Sequence, residues 1–277
     1  NIAHVQSGDV MTMGDQSFGV LGQSIGGGGG FLSVSFTPNV DEAEAAASVG
    51  FKSGQAESNA SLNDAVRTLG SSGGETLNGG NISLTMSGST IAMGNSAPAI
   101  VLQSIGGGGS TANLGDGIDP SITLGGALGA SGSRGSVTLV NTGDVAALGD
   151  NASAILLQSI GGGGGAVFGN DLSRSVVLSS DNIGNGGDIT FNQTGNVSAA
   201  SDGAVAISVQ SLGGGGGFVE NRFAGTAGGA GQGGAITVAI TGGSVTADGD
   251  GATGVLLQSL GRDGGGNIAL SLAEGRF

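Results

Sequence analysis

Hydrophobic and polar residues alternate in short segments that recur along the whole chain. Apolar side chains take every second position, and threonine, serine or asparagine stands between them, most clearly at 82–86, 137–139, 189–192 and 236–241. A period of two predicts half-buried β-strands, because successive side chains of a strand point to opposite faces of a sheet. A chain built from such segments is predicted to be all-β.

Each alternating segment is followed by a glycine-containing break and a second short strand. Residues 145–148 and 245–247 are examples of the second strand, and the polar corners 149–151 and 248–251 end them. Glycine, asparagine and aspartate favour such corners because they tolerate positive φ. The acidic residues of the chain occur mainly at these corners, where a role in the turn explains them.

A third strand carries the most regular motif, Gln-Ser-(Ile/Leu)-Gly, which recurs at spacings of 80, 55, 52 and 48 residues. A period of about 50 residues with an enlarged first unit indicates a repeat protein, in which each unit buries its apolar face against a neighbour. We expect the motif's side chains to form structural ladders between stacked copies. The predicted ladder residues are Gln23, Gln103, Gln158, Gln210, Gln258, Ser24, Ser104, Ser159, Ser211 and Ser259.

Three strands and their corners occupy about 25 residues, the size of one turn of a parallel β-helix. A unit of about 50 residues therefore predicts two turns, and the chain about eleven, stacked over roughly 50 Å. Less regular strands are expected at 31–36, 122–124, 176–178 and 218–219. We predict a single elongated β-solenoid domain spanning 1–277, with an enlarged loop or insertion at about 31–80 and a short helix or loop at 41–47.

The third strand is apolar on both of its faces. In one assignment Leu156 faces the interior, while Ile155 and Leu157 face outward with their copies Ile100, Leu102, Val255 and Leu257. An outer stripe of this kind needs a cover, and we predict that the glycine runs 26–30, 106–109, 161–165 and 213–217 provide it. The alternative is the opposite register, in which Ile155 and Leu157 point inward.

Composition excludes several classes of protein. Sixty-three glycines favour disorder, but an apolar content of 38 % in ordered runs opposes that interpretation. The net charge of −14 repels nucleic acid and anionic headgroups. Cysteine is absent, and no apolar run approaches the length that spans a bilayer, so no membrane insertion by this segment is expected. The chain begins at Asn1 inside a partial repeat, which we interpret as a segment of a longer protein.

The residue types needed for common catalytic sites are scarce. His4 is the one histidine and Lys52 the one lysine, so neither a Ser-His-Asp triad nor a phosphate-binding glycine loop with its lysine is expected. We predict that the chain is not an enzyme and has no cofactor. Calcium is the single cofactor suggested, by one imperfect match to a calcium-binding repeat at 184–189.

The segment 141–155, Asn-Thr-Gly-Asp-Val-Ala-Ala-Leu-Gly-Asp-Asn-Ala-Ser-Ala-Ile, resembles the repeats of bacterial autotransporter passenger domains. Related segments occur at 7–15 and 243–249, and the glycine-rich motif that follows is similar to glycine-rich passengers of Gram-negative bacteria. The resemblance implies a right-handed β-helix at the cell surface, anchored to the outer membrane by parts that lie outside this segment. It assigns no catalytic residue.

Two functions from different classes follow. The first is an adhesin, in which the solenoid presents segment 31–80 to a host cell, an abiotic surface or a sister cell. The alternative is a structural protein that assembles with itself into a filament or surface layer, through the apolar stripe and the glycine runs. Lateral association between copies belongs to this alternative.

Overall fold

The computed structural model describes residues 1–34, 67–69, 77–114, 122–124, 131–133, 135–169, 176–178, 182–219, 222–225 and 229–273. Within these residues the chain is all-β and contains no helix. The short helix or loop suggested at 41–47 lies outside the described residues, as does most of segment 31–80. Every strand expected from alternation elsewhere in the chain is present.

The strands follow one another in an order that repeats along the chain, and each repetition of the order is called a layer here. The first two layers contain β1 (Ile2–Gln6), β2 (Val10–Thr12), β3 (Val20–Ile25), β4 (Gly29–Val34), β5 (Arg67–Leu69), β6 (Ile82–Met86), β7 (Thr90–Ala92), β8 (Ile100–Ile105), β9 (Gly109–Leu114) and β10 (Ile122–Leu124). The third and fourth contain β11 (Val137–Asn141), β12 (Val145–Ala147), β13 (Ser153–Ile160), β14 (Gly164–Phe168), β15 (Val176–Leu178), β16 (Ile189–Gln193), β17 (Val197–Ala199), β18 (Val205–Leu212), β19 (Gly216–Val219) and β20 (Arg222–Gly225). The fifth contains β21 (Ile236–Ile240), β22 (Val245–Ala247) and β23 (Thr253–Leu260), and β24 (Ile268–Leu272) begins a sixth.

Strands in equivalent positions of successive layers pair with one another and form five sheets. Sheet A contains β1, β6, β11, β16, β21 and β24, sheet B contains β2, β7, β12, β17 and β22, and sheet C contains β3, β8, β13, β18 and β23. Sheet D contains β4, β9, β14, β19 and β20, and sheet E contains β5, β10 and β15. Four sheets are wholly parallel, and sheet D is parallel except that β20 runs antiparallel to β19. Stacked parallel strands in this order are consistent with a parallel β-helix or solenoid.

One layer takes the whole distance between two copies of the glutamine motif. Gln158 lies directly opposite Gln103 in one neighbouring strand and Gln210 in the other, with no layer between them. The predicted turn of about 25 residues and the stack of eleven turns were therefore wrong. The strands after each glycine run form the separate sheets D and E instead of a second turn over sheets A to C. Five layers at strand spacing span on the order of 25 Å.

Sheets A, B and C enclose the main hydrophobic core. Strands β6, β11 and β16 of sheet A alternate between buried and more exposed side chains, so one face of this sheet lines the core. In sheet C, Ile155 and Leu157 point into the core. Leu156 points the other way and packs with Ala166, Phe168 and Phe218 of sheet D. Phe168 extends this second cluster to Phe18 through an edge-to-face ring contact of 5.3 Å.

The assignment of the two faces of the third strand was thus wrong, and the alternative register is the one observed. Alternation alone does not distinguish two apolar faces. From the second layer to the fifth, the face that fills the core carries two large aliphatic residues in each layer, and Gly22 takes one of these positions in the first. The other face holds Val101, Leu156 and the hydroxyl of Ser208. The predicted cover of Ile155 and Leu157 by the glycine runs was therefore wrong, because these residues lie in the core. It is the opposite face of sheet C that is covered, and sheet D covers it. The chain folds back after each glycine run, and sheet D buries the outward face of sheet C in the second, third and fourth layers.

Replacement of Leu156 by aspartate is predicted to destabilise the protein by more than about 4 kcal/mol, because an unpaired carboxylate would lie in the apolar interface between sheets C and D. The matched control is Thr237→Asp, at a solvent-exposed position of β21, where a change within about 0.5 kcal/mol is expected. Urea denaturation followed by circular dichroism measures both. Equal losses for the two variants would contradict burial of Leu156 under sheet D.

Candidate functional site

The five glutamines of the repeated motif form one hydrogen-bonded column through sheet C. The Nε2 of Gln23 donates to Oε1 of Gln103 at 2.8 Å, Gln103 donates to Gln158 at 2.6 Å, and Gln158 donates to Gln210 at 2.6 Å. Gln210 completes the column by donating to Gln258 at 2.8 Å. Each internal amide therefore gives one bond to the next layer and receives one from the layer before it.

This column lies inside the protein, between sheets C and D. Gln103, Gln158 and Gln210 have no exposed surface. Strand alternation places them on the same side of sheet C as Leu156, and Thr111 of sheet D donates a hydrogen bond to Oε1 of Gln103. A buried amide needs partners because loss of its bonds to water is otherwise uncompensated. The geometry thus assigns these side chains to the stacking of layers, with no surface left for a ligand.

The serines beside the glutamines do not bond to one another, contrary to the expected serine ladder. The hydroxyl of Ser159 donates to the carbonyl oxygen of Gly135 at 2.8 Å and accepts from the backbone N–H of Gly187 at 2.8 Å. Ser211 makes the equivalent pair of bonds to Gly187 and Gly234. Each serine therefore joins two successive layers through the glycine-rich segment that precedes sheet A.

The glycine runs form the sharp turns between sheets C and D. In the third layer Gly162 and Gly163 have φ values of 83° and 96°, which favour glycine over residues with a side chain. Gly164 then begins β14, and a Cβ added there would overlap the carbonyl oxygen of Gly216 in the next layer. The runs are thus structural turns, buried in the second to fourth layers, which accounts for their recurrence at a fixed place after the motif.

Aspartate and asparagine side chains at the corners link the layers from outside. The Oδ1 of Asp144 accepts the backbone N–H of Asn196 at 2.7 Å, and Asn196 in turn accepts that of Ser244 at 3.0 Å. A second column joins Asp15 to Asn95 at 2.9 Å, and Asn95 to Asp150 at 3.0 Å. From their place in the sequence these residues were expected to act only in their own turns. Their recurrence at one position of each unit was the signal for this bonding between layers.

The residues that suggested calcium are engaged by the backbone. The Oδ1 atoms of Asn185 and Asp188 each accept a backbone N–H of the following layer at 2.9 Å, from Gln232 and Ala235. Across the described residues, no three or more His, Cys, Asp or Glu side chains are grouped closely enough to hold a metal ion.

His4 is exposed and its Nε2 lies 3.4 Å from Oε1 of Gln6. In the part of the chain that the structure describes, no helix has the length and apolarity to cross a bilayer.

Comparison with protein-family models finds no match, and comparisons with curated proteins and with solved structures find none either. The chain is therefore described by its own geometry: stacked parallel sheets, a buried glutamine column and corners that face solvent.

Substitution of Gln158 by leucine is predicted to destabilise the protein by about 2–6 kcal/mol, because it leaves a donor on Gln103 and an acceptor on Gln210 without partners. Gln258→Leu is the matched control at the end of the column, where only the bond from Gln210 is lost. Its expected cost is about half as large. Chemical denaturation measures the two variants. A Gln158→Leu variant as stable as the wild type would contradict a structural column.

Proposed function

We propose that the chain is the scaffold segment of a cell-surface adhesin, a right-handed parallel β-helix of the autotransporter passenger type. The segment acts outside a Gram-negative bacterium, anchored to the outer membrane through parts beyond this chain. Its partner is a host cell or an abiotic surface, and segment 31–80 makes the contact. No catalytic step or cofactor is part of this proposal.

One observation carries the proposal: the repeated residues serve the contacts and turns that hold the layers together. In the second to fourth layers the glutamines are buried between sheets C and D, the serines bond to backbone, and the glycines make buried turns. Binding therefore falls to the outer faces and to the connections between layers. The connection from β4 to β6 is the longest of these, since β4 ends at Val34 and β6 begins at Ile82. An otherwise regular stack with one enlarged connection is the organisation expected of a scaffold that presents a binding segment.

The alternative, self-assembly, receives less support in the form in which the sequence suggested it. Ile155 and Leu157 lie in the core, and Gly161 to Gly165 are buried. Neither set is available to a second copy, so a filament would have to form through another surface.

Deletion of residues 37–75 is predicted to reduce adhesion at least tenfold, because it removes most of the enlarged connection. The measurement is retention of purified protein on polystyrene beads and on cultured epithelial cells. Thr237→Asp is the control for altered surface charge. The deletion also removes β5 at the edge of sheet E, and circular dichroism establishes that the variant retains its other strands.

Electron microscopy of the same samples distinguishes the two functions. Single particles whose adhesion depends on residues 37–75 are expected. A folded deletion variant that adheres like the wild type would contradict the proposed role of segment 31–80, and fibres that survive the deletion would favour self-assembly.

A further inference from the structure

An exposed apolar patch lies on the outer face of sheet B in the first three layers. Met11, Ile91 and Ala146 occupy equivalent positions in β2, β7 and β12, as the central outward residue of each strand. Two residues later in each layer come Met13, Met93 and Leu148, which are 74 %, 43 % and 41 % exposed. These six residues are called the methionine patch.

The patch ends within the sheet. The next residues in the same two rows are Ser198 and Ala200 in the fourth layer, and Thr246 and Asp248 in the fifth. The stacking and the strand geometry are the same in all five layers, so the apolar side chains of the first three are not needed to form the sheet. A cluster of exposed large apolar residues, unlike single scattered ones, marks an interaction surface.

Carboxylates border the patch on both sides. Asp9 and Asp144 precede it and Asp15 and Asp150 follow it, each two residues from the nearest patch residue in sequence. All four are exposed, and segments 9–15, 89–95 and 144–150 contain no lysine or arginine. Backbone hydrogen bonds fix three of them: Oδ1 of Asp9 accepts from Ser89 at 2.8 Å, and those of Asp15 and Asp144 accept from Asn95 and Asn196.

We propose that the methionine patch is a docking surface for a cationic, amphipathic segment of another polypeptide. Apolar side chains of that segment pack on the methionines, whose unbranched side chains adapt to different shapes. Its lysine or arginine side chains reach the carboxylates on either side. Charge complementarity selects this occupant, because the net charge of −14 repels both a second copy of the chain and anionic lipid. No residue of the patch belongs to segment 31–80, and the proposal does not depend on the proposed adhesin function.

The probe is a labelled peptide in which leucine and lysine alternate, with binding followed by fluorescence anisotropy. Two matched peptides separate the contributions: one replaces every leucine with serine, and the other replaces every lysine with glutamate. The wild-type chain is expected to bind the leucine–lysine peptide at least tenfold more tightly than either control. Its affinity should fall as the salt concentration rises, because salt screens the exposed charge pairs.

Two kinds of variant locate the contact. The double variant Met93→Ser/Leu148→Ser removes the most exposed apolar side chain of the patch from the second and from the third layer and should weaken binding at least tenfold. Ala200→Ser, one layer further along the same row, should leave binding unchanged. Asp144→Asn and Asp150→Asn remove charge and should each weaken binding up to about fivefold at low salt. Asparagine is compatible with both rows, because Asn196 and Asn95 occupy equivalent positions there.

Several results would overturn the proposal. Equal binding of the leucine–lysine and serine–lysine peptides would reduce the interaction to unspecific charge attraction, and an unchanged affinity of the Met93→Ser/Leu148→Ser variant would place the contact elsewhere. Analytical ultracentrifugation of the same proteins tests for self-association: dimers of the wild type that this variant abolishes would assign the patch to a second copy. Binding to anionic vesicles that depends on Met93 and Leu148 would assign it to a membrane.

Discussion

The glutamine side chains of sheet C lie in the interface between sheets C and D. An amide group without hydrogen-bond partners would cost about 1–3 kcal/mol there for each bond left unmade. Stacking identical residues in register supplies both partners at once, since every internal amide donates to one layer and accepts from the other. Sheet C can therefore be buried on both faces only while the register is kept. The close backbone packing of the glycine turns and the serine bonds to backbone follow from the same register.

This constraint divides the protein into an interior that is repeated and an exterior that is free to differ. Inside, Ile155 and Leu157 lie directly over Ile100 and Leu102 of the preceding layer, so each layer is packed by its neighbours. Outside, Met93 and Leu148 give way to Ala200 and Asp248 at equivalent positions without a change of strand geometry. Proteins of this kind place binding on such outer positions and on the connections between layers, because the fold does not dictate their side chains.

The strands of sheet A were predictable from the sequence because polar residues alternate with buried apolar ones in β6, β11 and β16, and a period of two is then unambiguous. Which face of sheet C lines the core was not predictable, because Leu156 and Leu157 are equally apolar and only packing against sheet D distinguishes them. The number of residues in a layer was predicted wrongly for a related reason. The strands after each glycine run are short, and their local sequence does not indicate that they form sheets of their own. Of the candidate site, the repeated glutamines could be identified from their period. The partners of Ser159 could not, since Gly135 and Gly187 are distant in sequence and carry no side chain.

Disulfide cross-linking tests the register most directly, because the chain has no cysteine of its own. Thr138 lies opposite Thr190, and Thr190 lies opposite Thr237, on the outer face of sheet A. Cysteines at 138 and 190 would be one strand spacing apart, about 4.8 Å, which suits a disulfide, whereas cysteines at 138 and 237 would be about 10 Å apart. The account predicts that the Thr138→Cys/Thr190→Cys variant forms an intramolecular disulfide, detected by mass spectrometry, and that the Thr138→Cys/Thr237→Cys variant does not. Failure of the first pair to form in folded protein would contradict a register of one layer for each glutamine motif.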